Sequence, residues 1–555
     1  MKRLYLDYTH EKFDEKGVLT EFKLSAPDNF NFGFDVVDKL AVDTPEAVAM
    51  VWCNDSGEEQ TFTFADMKRE SDKAASFFMD IGIKKGDFVM LILKRHYQFW
   101  FAIVALHKIG AVAIPATNQL LVKDLIYRMN SAKVKAVICT ADGAISDYVN
   151  LAQESCPSLE IKIVVRGDKP GWSSFYECCE KAKPFKKPAG DNYPGGTDPL
   201  FLYFSSGTTG MPKMVLHNHF YPLGHIPTAA YWHNVQPGKL HFTVSETGWA
   251  KSVWGKIYGQ WIMEAPVFTF DFDRFNANEM LDKIQKYRIT TFCAPPTIYR
   301  FLIKEDLTRF DLSSLEHVTT AGEALNAEVY QQFLNTTGLK VMEGFGQTET
   351  TLALATFRWM DTKPGAMGVP SPLFDIDLVN DMNESVGIGE VGQIAVRTDK
   401  GIPYGMFHGY YGDKEMTENQ WYDDVYHTGD MATRDEDGFY WFVGRVDDII
   451  KSSGYRIGPF EVESVIMEHP AVLECAVTGT PDPLRGQAVK ATIVLAKGFE
   501  PSIDLMHEIQ DHVKTQTAPY KYPRVIEFVT ELPKTISGKI RRTEIRERDS
   551  ETDVT

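Results

Sequence analysis

The run Asp87-Phe-Val-Met-Leu-Ile-Leu93 carries no polar side chain after its first residue. A strand with one wet face alternates apolar and polar positions, so an unbroken apolar run needs cover on both faces. A following helix can supply that cover. Gln98 to Gly110 reads as one, and Ala111-Val-Ala-Ile-Pro115 then returns to strand character. The alternation recurs elsewhere. Phe64 to Ile81 places Met67, Ala74, Phe77, Phe78 and Ile81 on one helical face. Asn276 can cap a helix carrying Met280, Ile284 and Tyr287, and Ile289 to Ala294 then reads as a strand stopped by Pro295-Pro296. The spacing predicts an α/β chain with mostly parallel sheets and helices on both faces.

At 555 residues the chain exceeds what one core holds. Its organisation changes near residue 446. Gly438 to Val443 is strand-like, and a charged, Gly-rich segment, VDDIIKSSGYRIGP, follows. Beyond it Phe460 to Glu468 reads as helix, Val472 to Thr478 and Val489 to Leu495 as strands, and Leu505, Ile509 and Val513 mark another helix. The expected division is a large domain over 1–446, built of several subdomains, and a small, mobile α+β domain over 447–555. The net charge of −18 argues against a nucleic-acid polymer as partner. Residues 451–555 hold 14 basic and 16 acidic side chains, so the acid excess lies in the large domain. The most apolar stretch, Phe88 to Pro115, is broken by Lys94, Arg95 and His96 and by His107-Lys108, which rules out a membrane span there. Seven scattered cysteines and no signal-like N-terminus point to a reducing, cytoplasmic setting.

Leu200 to Phe204 is an apolar strand that runs into Ser205, Ser206, Gly207, Thr208, Thr209, Gly210, Met211, Pro212 and Lys213. Small residues let backbone N–H groups approach phosphate oxygens, the hydroxyls add donors, and Lys213 adds a positive charge. No GxxxxGK[ST] loop occurs in the chain. Taken alone, such a loop is more often just a flexible turn.

It is not alone. YFSSGTTGMPK resembles the phosphate loop of the adenylate-forming superfamily of acyl-CoA synthetases, peptide-synthetase adenylation domains and luciferases. The family's other motifs follow in order: Ala321-Gly-Glu-Ala-Leu325, Glu343-Gly-Phe-Gly-Gln-Thr-Glu349, Gly389-Glu-Val-Gly-Gln393, His427-Thr-Gly-Asp430, Gly444-Arg-Val-Asp-Asp-Ile-Ile-Lys451, Ser453-Gly-Tyr-Arg456 and Pro533-Lys-Thr-Ile-Ser-Gly-Lys539. The C-terminal segment is most similar to AMP-forming medium-chain acyl-CoA synthetases.

The resemblance implies roles for single residues. Ser205 to Lys213 would hold ATP phosphates. Gly322, Glu323, Ala324, Glu343, Gly344, Phe345, Gly346 and Gln347 would line the nucleotide. Thr348 and Glu349 offer the hard oxygen ligands that Mg²⁺ prefers. Asp430 would accept from the ribose hydroxyls, with Arg445 and Arg456 near the nucleotide. Asp447 matches the hinge, and Lys539 would be the catalytic lysine that stabilises charge as the acid attacks. Ser453, Gly454, Tyr455, Arg485, Lys514, Tyr522, Pro523 and Arg524 match CoA-contacting positions. Trp249, Lys251, Trp254, Cys293 and Gly346, with Gln119, would form the acyl pocket. Read without the family, Thr348-Glu349 is also a polar turn, Asp430 a turn stabiliser, and Lys251 a snorkelling surface lysine.

The implied reaction joins a carboxylic acid, ATP and CoA into acyl-CoA, AMP and pyrophosphate through an acyl-adenylate. Medium-chain or branched short-chain acids are expected. Acetyl-CoA synthetases carry Trp where Gly346 stands, so the glycine is expected to deepen the pocket. A benzoate-type ligase, transfer to a carrier protein, a luciferase-like oxygenase and a non-catalytic nucleotide binder are the rival readings. A second copy of the chain, and an acetyltransferase and deacetylase acting on Lys539, are the protein partners left open.

Overall fold

The computed structural model describes residues 3–205, 211–323, 325–453, 455–535 and 539–552. Phe88–Ile92 lies inside a seven-stranded sheet, between Val112–Pro115 and Ala136–Thr140, and pairs with both in parallel. Helix Gln98–Ile109, buried at every position, connects Phe88–Ile92 to Val112–Pro115. It stops at Gly110, whose φ of 74° suits glycine and whose Cβ would come within 2.7 Å of Pro194. Helix Phe64–Asp80 begins at a capping box, with Thr63 Oγ1 accepting from Asp66 N and the Asp66 carboxylate accepting from Thr63 N. Asn276 caps Ala277–Lys286 as expected, accepting from Glu279 N.

A second sheet runs parallel from Val48–Asn54 through Val267–Asp271, His241–Thr243, Thr291–Ala294 and His317–Ala321 to Val341–Gly346. It continues as antiparallel strands through Leu352–Ala355, Ala366–Pro370, Tyr440–Arg445, Val425–Arg434, Gly392–Arg397 and Asp375–Val379. Tyr440–Arg445 is the last strand of this sheet along the chain. Ile450–Ser452 already belongs to a separate five-stranded sheet with Tyr455–Ile457, Val472–Asp482, Gly486–Leu495 and Val525–Val529. The hairpin Val472–Asp482/Gly486–Leu495 runs longer than the sequence pattern predicts. Asp482 Oδ1 accepts from the backbone of Leu484 and Arg485 and closes the turn, which carries the pairing past Gly479.

From Asp448 onward the chain is bound to its own C-terminal helix. The buried Asp448 carboxylate takes Arg546 Nη1 at 2.5 Å, and Glu463 takes Arg542 twice at 2.7 Å while accepting from Val477 N at 2.8 Å. Only Val446 and Asp447 lie between the large sheet and this clamp. Among the described residues no helix is long and apolar enough to cross a membrane.

Lys256 is 2% exposed where the two parallel sheets abut, and its Nζ has no hydrogen-bond partner among the described residues. Burial pushes its pKa down from 10.5 to about 7. The unfolded chain therefore binds more protons between these values, and stability rises with pH across that window. Relative to Lys256→Met, the protein should gain on the order of 1 kcal/mol per pH unit between pH 7 and 10. Denaturant midpoints of both proteins measured against pH check this, and parallel curves would contradict it.

Candidate functional site

Strand Val425–Arg434 and strand Tyr440–Arg445 pair so that Asp430 stands directly opposite Arg445. Cross-strand neighbours lie close enough to interact, and Arg445 Nη1 sits 3.0 Å from Asp430 Oδ1 while donating to Thr428 O at 2.9 Å. Burial works against the Arg445 charge, but the Asp430 carboxylate offsets it and holds the guanidinium pKa above its usual value. Gly429 has φ 74°, and a Cβ there would meet Arg445 Nη2 at 2.7 Å. The Thr-Gly-Asp turn thus needs its glycine for two reasons. Gln347 ties the other motif to this pair, since its Nε2 donates to Asp430 Oδ2 and to Thr428 O at 2.8 Å. Tyr426, unmarked in the sequence reading, holds the Gln347 amide in place by donating to Oε1 at 2.9 Å.

Thr348 and Glu349 follow on the same turn. His217 donates from Nε2 to Thr348 O at 2.7 Å, and burial pushes this imidazole down to about 3, so it stays neutral at working pH. Tyr410 donates to Glu349 Oε1 at 2.8 Å and spans Glu349 and Lys213, whose Nζ lies 5.0 Å from the Tyr410 ring centroid. Burial lowers the Lys213 pKa, and Glu349 partly restores it. A buried carboxylate beside a threonine hydroxyl suits Mg²⁺, which takes one or two protein oxygens when phosphates supply the rest.

Ser205 pairs with Lys213 across the antiparallel strands Pro199–Ser205 and Lys213–Asn218, so the phosphate-loop segment is pinned at both ends. Ser206, Gly207, Thr208, Thr209 and Gly210 lie outside the described residues, as do Ala324 and Gly454. Pro212 O accepts from the Tyr127 hydroxyl at 3.0 Å, and Met211 is exposed.

Glu343 is buried, accepts from Leu325 N at 3.0 Å and Gly365 N at 2.7 Å, and is pushed up to about 8 by burial. Its carboxylate thus braces the segment that follows the Gly322-Glu323 turn. Gly322 has φ 108°, and Glu323 is exposed. Gly344 lets Trp232 pack within 2.7 Å of where a Cβ would stand, and Phe345 joins the core behind Tyr426. Arg456 Nη2 lies 3.8 Å from Asp381 of the large lobe, both groups being exposed.

Lys251 donates to Ala321 O at 2.7 Å, which seats it against the end of strand His317–Ala321, beside the buried Cys293. Its pKa is lowered by burial, and the charge of Lys539, from the small lobe, acts on it in the same direction. Lys539 itself is exposed, its N–H donating to Thr535 Oγ1 at 3.1 Å. Trp249 is half-buried, and Gln119 lies on the neighbouring turn.

Gly346 is hemmed in by its neighbours. A Cβ there would stand 2.3 Å from Thr351 O and 2.4 Å from the Trp254 ring. The Trp254 indole takes the space a side chain at 346 would occupy, so this position requires glycine.

On the small lobe, Tyr455 stacks on Tyr520 with centroids 4.0 Å apart. Lys514 Nζ and the Arg524 guanidinium lie 4.5 and 4.7 Å from the centroid of Tyr522. Pro523 O accepts from Gln510. Arg485 pairs with Asp482 at 3.3 Å, and its carbonyl accepts from Ser453 N, which has φ 52°. This basic and aromatic group suits a nucleotide's phosphates and base. The stacking partner Tyr520 escaped the motif reading.

A family model for AMP-binding enzymes matches residues 37–411, and one for the AMP-binding enzyme C-terminal domain matches 461–539. The human mitochondrial acyl-coenzyme A synthetase ACSM3 is 39% identical over 96% of this chain and 92% of its own. Mitochondrial ACSM5 of Rattus norvegicus is 41% identical over 95% and 92%. Among solved structures, the anthranilate CoA ligase AuaEII with anthranoyl-AMP superposes with a TM-score of 0.85, at 28% identity over 96% of this chain and 99% of that one. A benzoate CoA ligase from Burkholderia xenovorans gives 0.81, at 26% identity over 93% and 100%.

Gly346→Ala should destabilise the protein by about 1–3 kcal/mol, because the Thr351 carbonyl cannot retreat as a side chain can. A denaturation midpoint equal to that of the parent would remove Trp254 and Thr351 from the wall of this slot.

Proposed function

The chain belongs to the AMP-binding enzyme family, and from that premise we propose that it activates a compact carboxylic acid as its adenylate and passes the acyl group to CoA. The activity is that of an AMP-forming acyl-CoA synthetase, which uses ATP, CoA and Mg²⁺. The acid is already ionised at neutral pH, since carboxyl groups titrate near ~4. It needs no base, but it must approach a polyanion. Lys213, Arg445 and Lys539 bring positive charge to that approach, and Mg²⁺, when bound at Glu349 and Thr348, neutralises phosphate charge. A carboxylate oxygen attacks the α-phosphorus, the new O–P bond forms, and pyrophosphate leaves with the electrons of the broken bond. The CoA thiolate then attacks the acyl carbon, and AMP leaves.

The observation that carries this reading is the Asp430–Arg445 pair at 3.0 Å, to which Gln347 ties the turn of Thr348 and Glu349 at the end of the large sheet. Lys539, on the small lobe, is the residue we read as meeting the carboxylate and the phosphate there. The hinge is read at Asp447, between the large sheet and the Asp448 clamp. Domains of 1–446 and 447–555 then move as two bodies between adenylation and thioester formation.

Trp254 closing the slot at Gly346 favours branched short-chain or modest medium-chain acids over long linear ones. An aromatic acid is the second reading, favoured by two structural neighbours named for anthranilate and benzoate. Seven free thiols fit a reducing compartment, and the cytoplasm is our reading of its location. Acetylation of Lys539 would remove the charge that adenylation uses, so an acetyltransferase and deacetylase acting there would form a switch.

ATP–pyrophosphate exchange with a panel of acids tests the activity. Branched short-chain and medium-chain acids should support exchange better than acetate. Lys539→Ala should slow it about 10²–10³-fold, as for loss of one charge-stabilising group. Exchange at the parent rate in that variant would remove Lys539 from the chemistry.

A further inference from the structure

The tripeptide Lys94-Arg95-His96, which interrupts the most apolar stretch of the sequence, sits just beyond strand Phe88–Ile92, where the two parallel sheets meet. Lys94 has φ 50°, and its carbonyl accepts from both the N–H and the hydroxyl of Thr247. His96 Nδ1 lies 2.5 Å from Asp271 Oδ2, and its Nε2 faces Thr140 Oγ1 at 2.9 Å and Asp142 at 3.2 Å. Arg95 stacks 4.1 Å from the Phe272 ring centroid and donates to Phe272 O at 3.0 Å. None of these groups is accounted for by ATP, Mg²⁺ or CoA.

Glu246 lies at the centre of this seam and is 8% exposed. Its Oε2 accepts from Thr117 Oγ1 at 2.7 Å, and the backbone N–H groups of Asn118 and Gly248 face the carboxylate. Arg95 is the countercharge acting on it, and Lys256 feels its field. The two turns it joins come from different sheets. Thr117 to Gln119 follows strand Val112–Pro115, and Gly248-Trp249 follows strand His241–Thr243. They press together so closely that a Cβ on Gly248 would stand 2.4 Å from Thr117 N. Trp249 N donates to the carbonyl of Glu246 itself at 3.2 Å. Gln119 N donates to the same Thr117 Oγ1 at 3.3 Å, so the Glu246 carboxylate joins the turn of Gln119 to the loop that carries Trp249.

We propose that Glu246 is a positioning residue for the acid substrate, tying the Thr117–Gln119 turn to the Gly248–Trp249 turn and so fixing the mouth of the acyl slot. This rests on the acyl-CoA synthetase reading above. A buried carboxylate is costly to keep, and an apolar contact would hold two sheets together as well. A role in geometry explains why a directional group bonded to Thr117 stands here, since small displacements of substrate-positioning residues carry large kinetic penalties.

The test is ATP–pyrophosphate exchange on the full chain, with KM measured separately for the acid and for ATP. Glu246→Ala should raise the acid KM about tenfold, as for loss of hydrogen bonds to a charged group, with a far smaller change in kcat and an ATP KM within about twofold. Glu246→Gln, which keeps an oxygen for Thr117, should recover most of that loss. Thr117→Val should raise the acid KM in the same direction by about threefold or more, and it decides the matter if Glu246→Ala does not fold. An acid KM that stays put, or acid and ATP KM values that rise together, would overturn the proposal, because a merely structural residue disturbs both substrates or neither. If the parent protein shows no acid-dependent exchange at all, the synthetase reading falls first and this inference with it. An active parent with unmoved variants overturns this inference alone.

Discussion

The Asp430–Arg445 pair is the interaction on which the site depends. It joins two antiparallel strands in register at the point where the chain leaves the large sheet. Because Arg445 is the last residue of its strand, whatever fixes it also fixes where the small lobe begins. Because Gln347 donates to Asp430, the same pair fixes the turn that carries Thr348 and Glu349. Remove the carboxylate, and a largely buried guanidinium loses its partner while the amide of Gln347 loses an acceptor. Breaking a buried ion pair by removing one member is far more damaging than never having had it.

In the proposed reaction the two lobes divide the chemistry: the large one would hold phosphates, metal oxygens and acid between strand ends, and the smaller one would bring its groups to them. That division gives a reason for the internal lock of the small lobe by Asp448–Arg546 and Glu463–Arg542. A body that is to rotate about Val446–Asp447 must carry its own rigidity. Lys539 and the Tyr455, Tyr520, Tyr522, Lys514 and Arg524 group belong to this one body. Its rotation can therefore exchange one set for the other at a single nucleotide site.

The sequence made the frame readable because the frame is local. The apolar run 87–93, the cap at Asn276 and the glycine at 110 each depend on neighbours a few residues away, and each element formed within one or two residues of its expected ends. The ordered motifs are local for the same reason, and the structure brings Gln347, Asp430 and Arg445 from three of them together. What escaped were contacts between residues distant in sequence. Nothing within GFGQTE reveals that Trp254, some 90 positions earlier, already fills the space beside Gly346. Nothing in the motif of Glu343 reveals that its carboxylate accepts from Leu325 and Gly365. Lys94-Arg95-His96 reads as a break in an apolar stretch, and only the meeting of two sheets makes it a buried polar seam. Tyr410, Tyr426 and His217 likewise orient site groups through single hydrogen bonds that no spacing encodes.

The central claim is that a carboxylate oxygen becomes bonded to the α-phosphorus of ATP. Supplying the acid with both carboxyl oxygens as oxygen-18, in unlabelled water with ATP and CoA, follows that bond. When the thiolate displaces AMP, the bridging oxygen leaves with the phosphate, so mass spectrometry should find one labelled oxygen in AMP and none in pyrophosphate. AMP without label, or label in pyrophosphate, would contradict the account.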